Sequence, residues 1–234
     1  MLAVFKRELK SYFNSSIAYA LIGFFILISS LFFLNNLYGR FASFNTNLQE
    51  MNIILLIILP ILTMRTIAEG RKNGTEVLLI TAPVSLTSVV VGKFLAAFSI
   101  FMVMTALTLI YQIILFSFGH PAIEQLIGGY IGFILLGGAF ISLGIFTSSL
   151  VESQIVAAIT GIISLVIMAL MQYLSGYVGG ISAQILNWFS LLSRYNDFNR
   201  GILDLSAIVY YLSFISVFLF LTIRVVEKRR WSQG

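Results

Sequence analysis

The sequence predicts an all-α membrane protein with six transmembrane helices. Hydrophobic residues make up 59% of its 234 residues and charged residues only 10%, whereas about 25% of the residues in a soluble domain are charged. Six apolar stretches approach the roughly 20 helical residues that cross a bilayer core. Because so few charges cannot cover a water-facing surface, lipid is the natural solvent of this chain.

The chain begins with a short amphipathic segment, residues 2–14. Its apolar residues recur at helical spacing, and charged residues fill the other face. We expect an interfacial helix that lies in the plane of the membrane surface; a soluble N-terminal tail is the alternative. The residues expected to place this helix on membrane lipid are Phe5, Lys6, Arg7, Leu9 and Tyr12.

The six predicted spans contain features that suggest their packing. Pro60 predicts a kink in span two and a helix that continues past the lipid. Span three is longer than the hydrocarbon requires, and Lys93 near its start favours a projection into water. Small residues four positions apart in spans four and five predict close packing against other helices. The spans are expected at about residues 17–37, 51–67, 89–118, 127–150, 155–174 and 205–226, in one domain.

Three polar stretches interrupt the apolar pattern. Residues 35–50 read as a polar loop between spans one and two. Residues 65–93 form a second break, which carries six charged side chains. Residues 175–204 mix glycines with large apolar side chains, which predicts short re-entrant helices on the outer face.

The distribution of basic residues predicts the orientation. Eleven of the 14 Lys and Arg residues lie in the first helix, in residues 65–93 or at the C-terminal end of the chain from residue 224 onward. Only Arg40, Arg194 and Arg200 remain for the other face. Because cytoplasmic segments carry the excess of basic residues, we expect both termini and residues 65–93 in the cytoplasm.

The residue types exclude several kinds of chemistry. The chain has no cysteine, and its single histidine, His120, lies at a span end with no second ligand for a metal. No G-x-x-x-x-G-K-[ST] motif is present, so we expect no nucleotide hydrolysis by this chain. Residues 17–37, 95–118, 127–150 and 155–174 carry no charged residue, which argues against an ion-coupled carrier. Basic residues flank apolar runs, so we expect no nucleic-acid binding. We therefore expect no catalytic residue, cofactor or metal here.

Residues 65–93 resemble part of a known family. The run EGRKNGTEVLL at 69–79, with APVS at 82–85 and GK at 92–93, resembles the loop between spans two and three of ABC-2 type permeases. It is most similar to the compact six-span group typified by gliding-motility and nitrous-oxide-reductase-maturation exporters. The pattern Phe198-x-x-Gly201-x-x-Asp204 and the amphipathic start also resemble this family.

The resemblance implies a non-enzymatic permease subunit in a multi-pass arrangement in a bacterial cytoplasmic (inner) membrane. A second permease subunit, identical or homologous, and a separate soluble ABC-type ATPase carrying ATP and Mg²⁺ are the implied partners. It also implies a coupling helix at Thr75–Leu79 that docks on the ATPase. A solvated loop is the alternative. The residues implied for coupling are Glu69, Arg71, Gly74, Thr75, Glu76, Val77, Leu78, Leu79 and Pro83.

The family also places re-entrant elements between spans five and six as an exit gate. The side chains that would form this outer gate, or anchor at the interface as an aromatic belt, are Trp188, Phe189, Tyr195, Phe198, Gly201 and Asp204. With uncharged spans, we expect an amphiphilic or large apolar cargo, or a conformational change that serves motility. A membrane scaffold that recruits a cytoplasmic partner is a further hypothesis, and a secondary carrier is the least favoured.

Overall fold

The structure is a computed structural model that describes residues 1–39, 45–72, 85–118, 122–177, 179–180, 182 and 190–232, without the side chains of 69, 71, 72 and 230–232. These residues contain helices and no strand. The helices treated below are α1 (Leu2–Phe13), α2 (Ser16–Tyr38), α3 (Asn45–Thr63), α4 (Arg65–Lys72), α5 (Leu86–Leu107), α6 (Leu109–Phe118), α7 (Ile123–Leu150), α8 (Gln154–Ser175), α9 (Leu191–Asn199) and α10 (Leu205–Ser232).

Six helical stretches are long and apolar enough to cross a membrane, which confirms an all-helical chain with six candidate spans. They are Ser16–Tyr38, Asn45–Ala68, Leu86–Ser117, Ile123–Leu150, Gln154–Ser175 and Leu205–Arg229. Helix α1 covers almost all of the predicted residues 2–14. The apolar length of each stretch therefore predicted its helix well.

The largest difference concerns the start of α3. Residues 35–50 were expected to form a loop, but α2 extends to Tyr38 and α3 begins at Asn45. The prediction of a loop was wrong for the helical residues at both ends of this segment. It rested on the asparagines, which are common in loops. In the structure Asn45 and Asn47 are buried, and their amides bond to carbonyls of other helices. A buried amide with partners is compatible with a helix interior.

Two of the long spans are interrupted. Span two breaks at Met64, after Pro60, and α4 then continues the chain in helical form. Proline disturbs the turn that precedes it, and the Met64 N–H still donates to the Pro60 carbonyl at 2.8 Å, so this break lies beyond the reach of Pro60. Span three, predicted as one helix, divides at Thr108, whose hydroxyl donates to the Thr105 carbonyl at 2.6 Å. Such a side-chain bond competes with the helical ladder.

Helix α7 is the centre of the bundle, in contact with α3, α4, α5, α8, α9 and α10. Its glycines permit this packing, as predicted from their spacing. A Cβ at Gly132 would lie 2.6 Å from Phe198 Cβ, and one at Gly137 would overlap the Phe101 ring. Helices α2, α8 and α10 lie at the periphery, where Leu27 and Ile163 point outward. This apolar periphery is suited to lipid.

Candidate functional site at the basic end of the bundle

A buried ammonium group lies where α1, α4 and α5 meet. Lys93 Nζ donates to Glu8 Oε1 at 2.9 Å and to the Thr66 main-chain carbonyl at 2.5 Å. The Lys93 and Glu8 side chains are only 9% and 17% exposed. A lysine buried away from water needs a counter-charge and acceptors for its N–H groups. Lys93 is therefore enclosed by protein and is not solvated, and a projection of the first turns of α5 from the membrane stays a prediction. We call this region the basic junction, comprising Glu8, Tyr12, Ser15, Arg65, Thr66, Lys93 and Ser148.

Helix α1 packs directly on α5 within the basic junction. A Cβ at Gly92 would lie 3.1 Å from Val4 Cγ1 and 3.3 Å from the Phe5 nitrogen, so a larger residue there would displace α1. At the other end of α1, the buried Tyr12 hydroxyl donates to the Leu62 carbonyl at 3.1 Å. Helix α1 is thus attached to both α3 and α5.

The first turn of α4 is capped by a serine from α7. The Ser148 Oγ accepts from the main-chain N–H groups of Ile67 and Ala68 at 3.3 and 3.2 Å. Its own hydroxyl donates to the Met64 carbonyl at 3.1 Å. The N–H groups of Ile67 and Ala68 have no partner inside α4, because the first turn of a helix leaves its N–H groups unpaired. One side chain of α7 therefore bridges the break between α3 and α4.

Two arginines bind the ends of other helices at the same face. Arg65 Nη1 donates to Ser15 Oγ, the N-cap of α2, at 2.5 Å. Arg229 Nη2 donates to the Leu150 carbonyl, the last residue of α7, at 2.9 Å. A guanidinium favours a helix C-terminus, which carries partial negative charge. The basic side chains of this face thus also hold the helices together.

The residues predicted for the interfacial helix divide between two environments. Phe5 and Leu9 are half-buried and pack against the core of the bundle, and Tyr12 is buried. Lys6 and Arg7 are exposed on the opposite face. The apolar face of α1 therefore contacts protein as well as any lipid. Its contact with membrane lipid stays a prediction.

Within the part of the chain that the structure describes, only two of the predicted coupling residues belong to a helix of the basic junction. The backbone of Glu69 and Arg71 belongs to α4. Gly74, Thr75–Leu79 and Pro83 lie outside the described residues. The junction therefore holds the helix that leads into the predicted coupling segment.

The residues predicted for an outer gate lie at the opposite end of the bundle. Phe198 is fully buried against Gly132 of α7, and Tyr195 is buried beside it. Gly201 adopts φ +83° and packs close to Gln125, a conformation that favours glycine. Asp204 Oδ1 accepts from the Ser206 N–H at 2.9 Å and so caps α10. Trp188 and Phe189 lie outside the described residues, and the gate itself stays a prediction.

Buried asparagines of α3, which sequence reasoning missed, organise this opposite end. Asn45 Nδ2 donates to the carbonyls of Gln125 and Asn199, each at 2.7 Å, which joins α3, α7 and α9. Asn47 Nδ2 donates to the Ser29 carbonyl at 3.1 Å. A signal was present, since the buried residues of α3 recur three or four positions apart: Leu48, Asn52, Leu55, Leu59 and Leu62.

No protein-family model matches the chain, and no curated protein is significantly similar to it in sequence. The geometry of the two ends therefore carries the functional interpretation, together with the local pattern in residues 65–93. At one end, buried charge joins α1, α4 and α5. At the other end, neutral amides join α3, α7 and α9.

Proposed function

We propose that this chain is the transmembrane permease subunit of an ABC-2 type transporter. In this proposal it pairs with a second permease subunit, identical or homologous, in a bacterial cytoplasmic membrane with both termini inside. A separate soluble ATPase binds ATP and Mg²⁺ and supplies the energy for export or for a conformational change. Six apolar helices and the resemblance of residues 65–93 support the proposal.

The observation that carries the proposal is the attachment of α4. Lys93 of α5 binds the Thr66 carbonyl, and Ser148 of α7 caps the first turn of α4. Through Glu8, the same lysine joins α1. A short helix held by side chains of α5 and α7, and linked through Lys93 to α1, moves these helices together when it is displaced, and packed helices transmit such displacements as rigid bodies.

The direction of this coupling follows from chain order. Helix α4 ends at Lys72, directly before the residues proposed to dock on the ATPase. A movement of the docked segment therefore reaches α4 first, and then α1, α5 and α7. Polar pairs formed by Glu69, Arg71 and Glu76 fix the register of docking in this proposal, because charge complementarity determines orientation more than affinity.

Copurification with an ATPase tests the proposal. We expect the tagged chain, purified in mild detergent from its native host, to retain a P-loop ATPase with Mg²⁺-dependent ATP hydrolysis. Arg71→Glu and Glu76→Lys are expected to abolish the association. Lys228→Glu is the control, because Lys228 is an exposed base outside the proposed contacts.

The outcomes separate a permease from a scaffold. A permease predicts crosslinks between residues 73–84 and the ATPase whose yield changes with bound nucleotide. A scaffold predicts a partner whose crosslinks do not respond to nucleotide. Retained ATPase in both charge-reversal variants refutes the docking assignment, and a C-terminal reporter found outside the cell refutes the orientation.

A further inference from the structure

A pocket lined largely by polar residues lies at the end of the bundle opposite the basic junction. It has a volume of about 250 Å³ and lies between the first turns of α3, the last turns of α8, and α9. This space is large enough for several waters or for a polar group of several atoms. We call this space the amide pocket; the lining residues that matter here are Glu50, Asn52, Gln172, Tyr173, Tyr195 and Asn196.

Three oxygens of the amide pocket lack hydrogen-bond partners among the described residues. They are the Tyr195 hydroxyl, Asn52 Oδ1 and Glu50 Oε2. Tyr195 and Asn52 are only 1% and 3% exposed, and buried polar atoms are nearly always hydrogen-bonded. The Asn47 and Asn45 amides on the same helix do have partners. On α3, the unpaired buried atoms therefore belong to Glu50 and Asn52, which both line the pocket.

Burial raises the pKa of Tyr195 well above its usual value, although the Asn52 side chain partly opposes this rise. The Tyr195 hydroxyl is therefore neutral at physiological pH and can both donate and accept a hydrogen bond. The two other unpaired oxygens are acceptors. An occupant of this pocket thus needs to present O–H or N–H donors.

The remaining lining narrows the chemistry of the occupant. Gln172 and Asn196 each offer both donors and acceptors, and Glu50 is the one charged residue of the lining. With no cation in the lining, the pocket does not suit phosphate or carboxylate. A primary amine would satisfy the acceptors but leave the amide N–H groups unused. Hydroxyl groups can donate to the unpaired oxygens and accept from the amide N–H groups. The exposed Tyr173 ring adds an apolar face at the edge of the pocket.

We propose that the amide pocket binds an uncharged polyhydroxylated group, such as the sugar of a free saccharide or of a glycolipid head group. The binding residues are Asn52, Tyr195 and Glu50, with Gln172 and Asn196 as further partners. The inference rests on the pocket alone and does not depend on the proposed ATPase partner.

Binding to the purified full chain in phosphatidylcholine nanodiscs tests this inference. The probes are maltose in solution, a diglucosyl diacylglycerol in the bilayer, and phosphatidylethanolamine as the amine-bearing alternative. We expect a saturable rise in the unfolding temperature with at least one sugar probe. A response to maltose indicates a free saccharide, and a response to the glycolipid alone indicates a lipid head group.

Two variants assign the binding to the pocket. Asn52→Leu and Tyr195→Phe each remove one unpaired polar group and keep the shape, so both should fold, and each should weaken sugar binding by about tenfold. Tyr211→Phe is the matched control, because the Tyr211 hydroxyl is bonded to the Leu191 carbonyl outside the lining. The proposal is overturned if no sugar binds, if only the amine-bearing lipid binds, or if both pocket variants bind as the parent does. None of these results bears on ATPase copurification.

Discussion

The ion pair of the basic junction provides the sharpest test of how this bundle is held together. Glu8→Gln removes one negative charge and preserves the shape of the side chain. Lys93 then keeps its bond to the Thr66 carbonyl but loses its counter-charge. The ammonium stays in a position where its side chain is 9% exposed, so little water can reach it in place of the carboxylate.

The expected loss follows from the exposure of the two partners. Removing one partner of a fully buried pair costs about 3 to 5 kcal/mol. Water reaches part of Glu8, whose side chain is 17% exposed, and one strong acceptor remains for Lys93. We therefore expect Glu8→Gln to lower the free energy of unfolding by about 2 to 3 kcal/mol.

A double-mutant cycle isolates the pair from other effects. Lys93→Met removes the charge that Glu8 pairs with, so adding Glu8→Gln to it should cost little. We expect a coupling energy of about 2 kcal/mol between the two positions. The free energy of unfolding can be measured by SDS titration in mixed micelles, with far-UV circular dichroism as the signal.

An exposed ion pair of the same chain is the control. Arg224 Nη1 lies 2.8 Å from Glu227 Oε2, and their side chains are 61% and 39% exposed. Because surface pairs contribute little, Glu227→Gln should change the free energy of unfolding by about 0.5 kcal/mol or less. The reasoning is refuted if Glu8→Gln changes stability no more than Glu227→Gln does, or if the cycle shows no coupling.

Three further comparisons test other contacts. Gly144→Ala places a Cβ against a threonine hydroxyl of α3 and should cost about 1 to 3 kcal/mol, whereas Gly23→Ala meets open space and should be neutral or stabilising in the same titration. Ser148→Ala removes the cap of α4 and should cost about 1 kcal/mol, with faster amide exchange in the first turn of α4 as the readout. Tyr195→Phe should leave the unliganded protein equally or more stable, because the Tyr195 hydroxyl has no hydrogen-bond partner among the described residues. Tyr211→Phe loses the 2.6 Å hydrogen bond to the Leu191 carbonyl and should lower the free energy of unfolding by about 1 to 2 kcal/mol. Equal losses in the two variants would contradict this assignment.

Apolar length and helical periodicity predicted the spans because both are local properties of the chain. The predicted segment 2–14 and the helix Leu2–Phe13 almost coincide, since one turn of sequence already shows its two faces. The same holds for the glycines of α7, whose spacing predicted close packing. Their partners were not predictable, because Gly132 contacts Phe198, a residue far along the chain.

The charged contacts of the basic junction could not be predicted from local patterns. Lys93 and Glu8 are 85 positions apart, and each lies in a segment that also reads as an ordinary basic flank of a membrane span. The rule that places basic residues in the cytoplasm treats every lysine as solvated. The sequence carried one hint, since Glu8 is the one acidic residue in segment 2–14.

The start of α3 was predicted as a loop because it is rich in asparagine. Asparagine is common in loops because its side chain competes for backbone hydrogen bonds. In α3 the amides of Asn45 and Asn47 instead bond to carbonyls of α9, α7 and α2, so they favour the helix. Only the periodicity of the apolar residues around them distinguishes these two cases.

Helix α7 connects the two ends of the bundle more directly than any other span does. Helix α3 has Asn52 at the amide pocket and Thr63 at the basic end, about 16 Å apart along the axis, but it is interrupted at Met64. Ser148 bridges that interruption from α7, and Gly144 allows α7 to contact Thr63. At its other end α7 provides the glycines on which α9 packs. A displacement of α4 is therefore resisted and transmitted by α7, the central helix, which has no charged residue after Glu124 in its first turn to mark its role in the sequence.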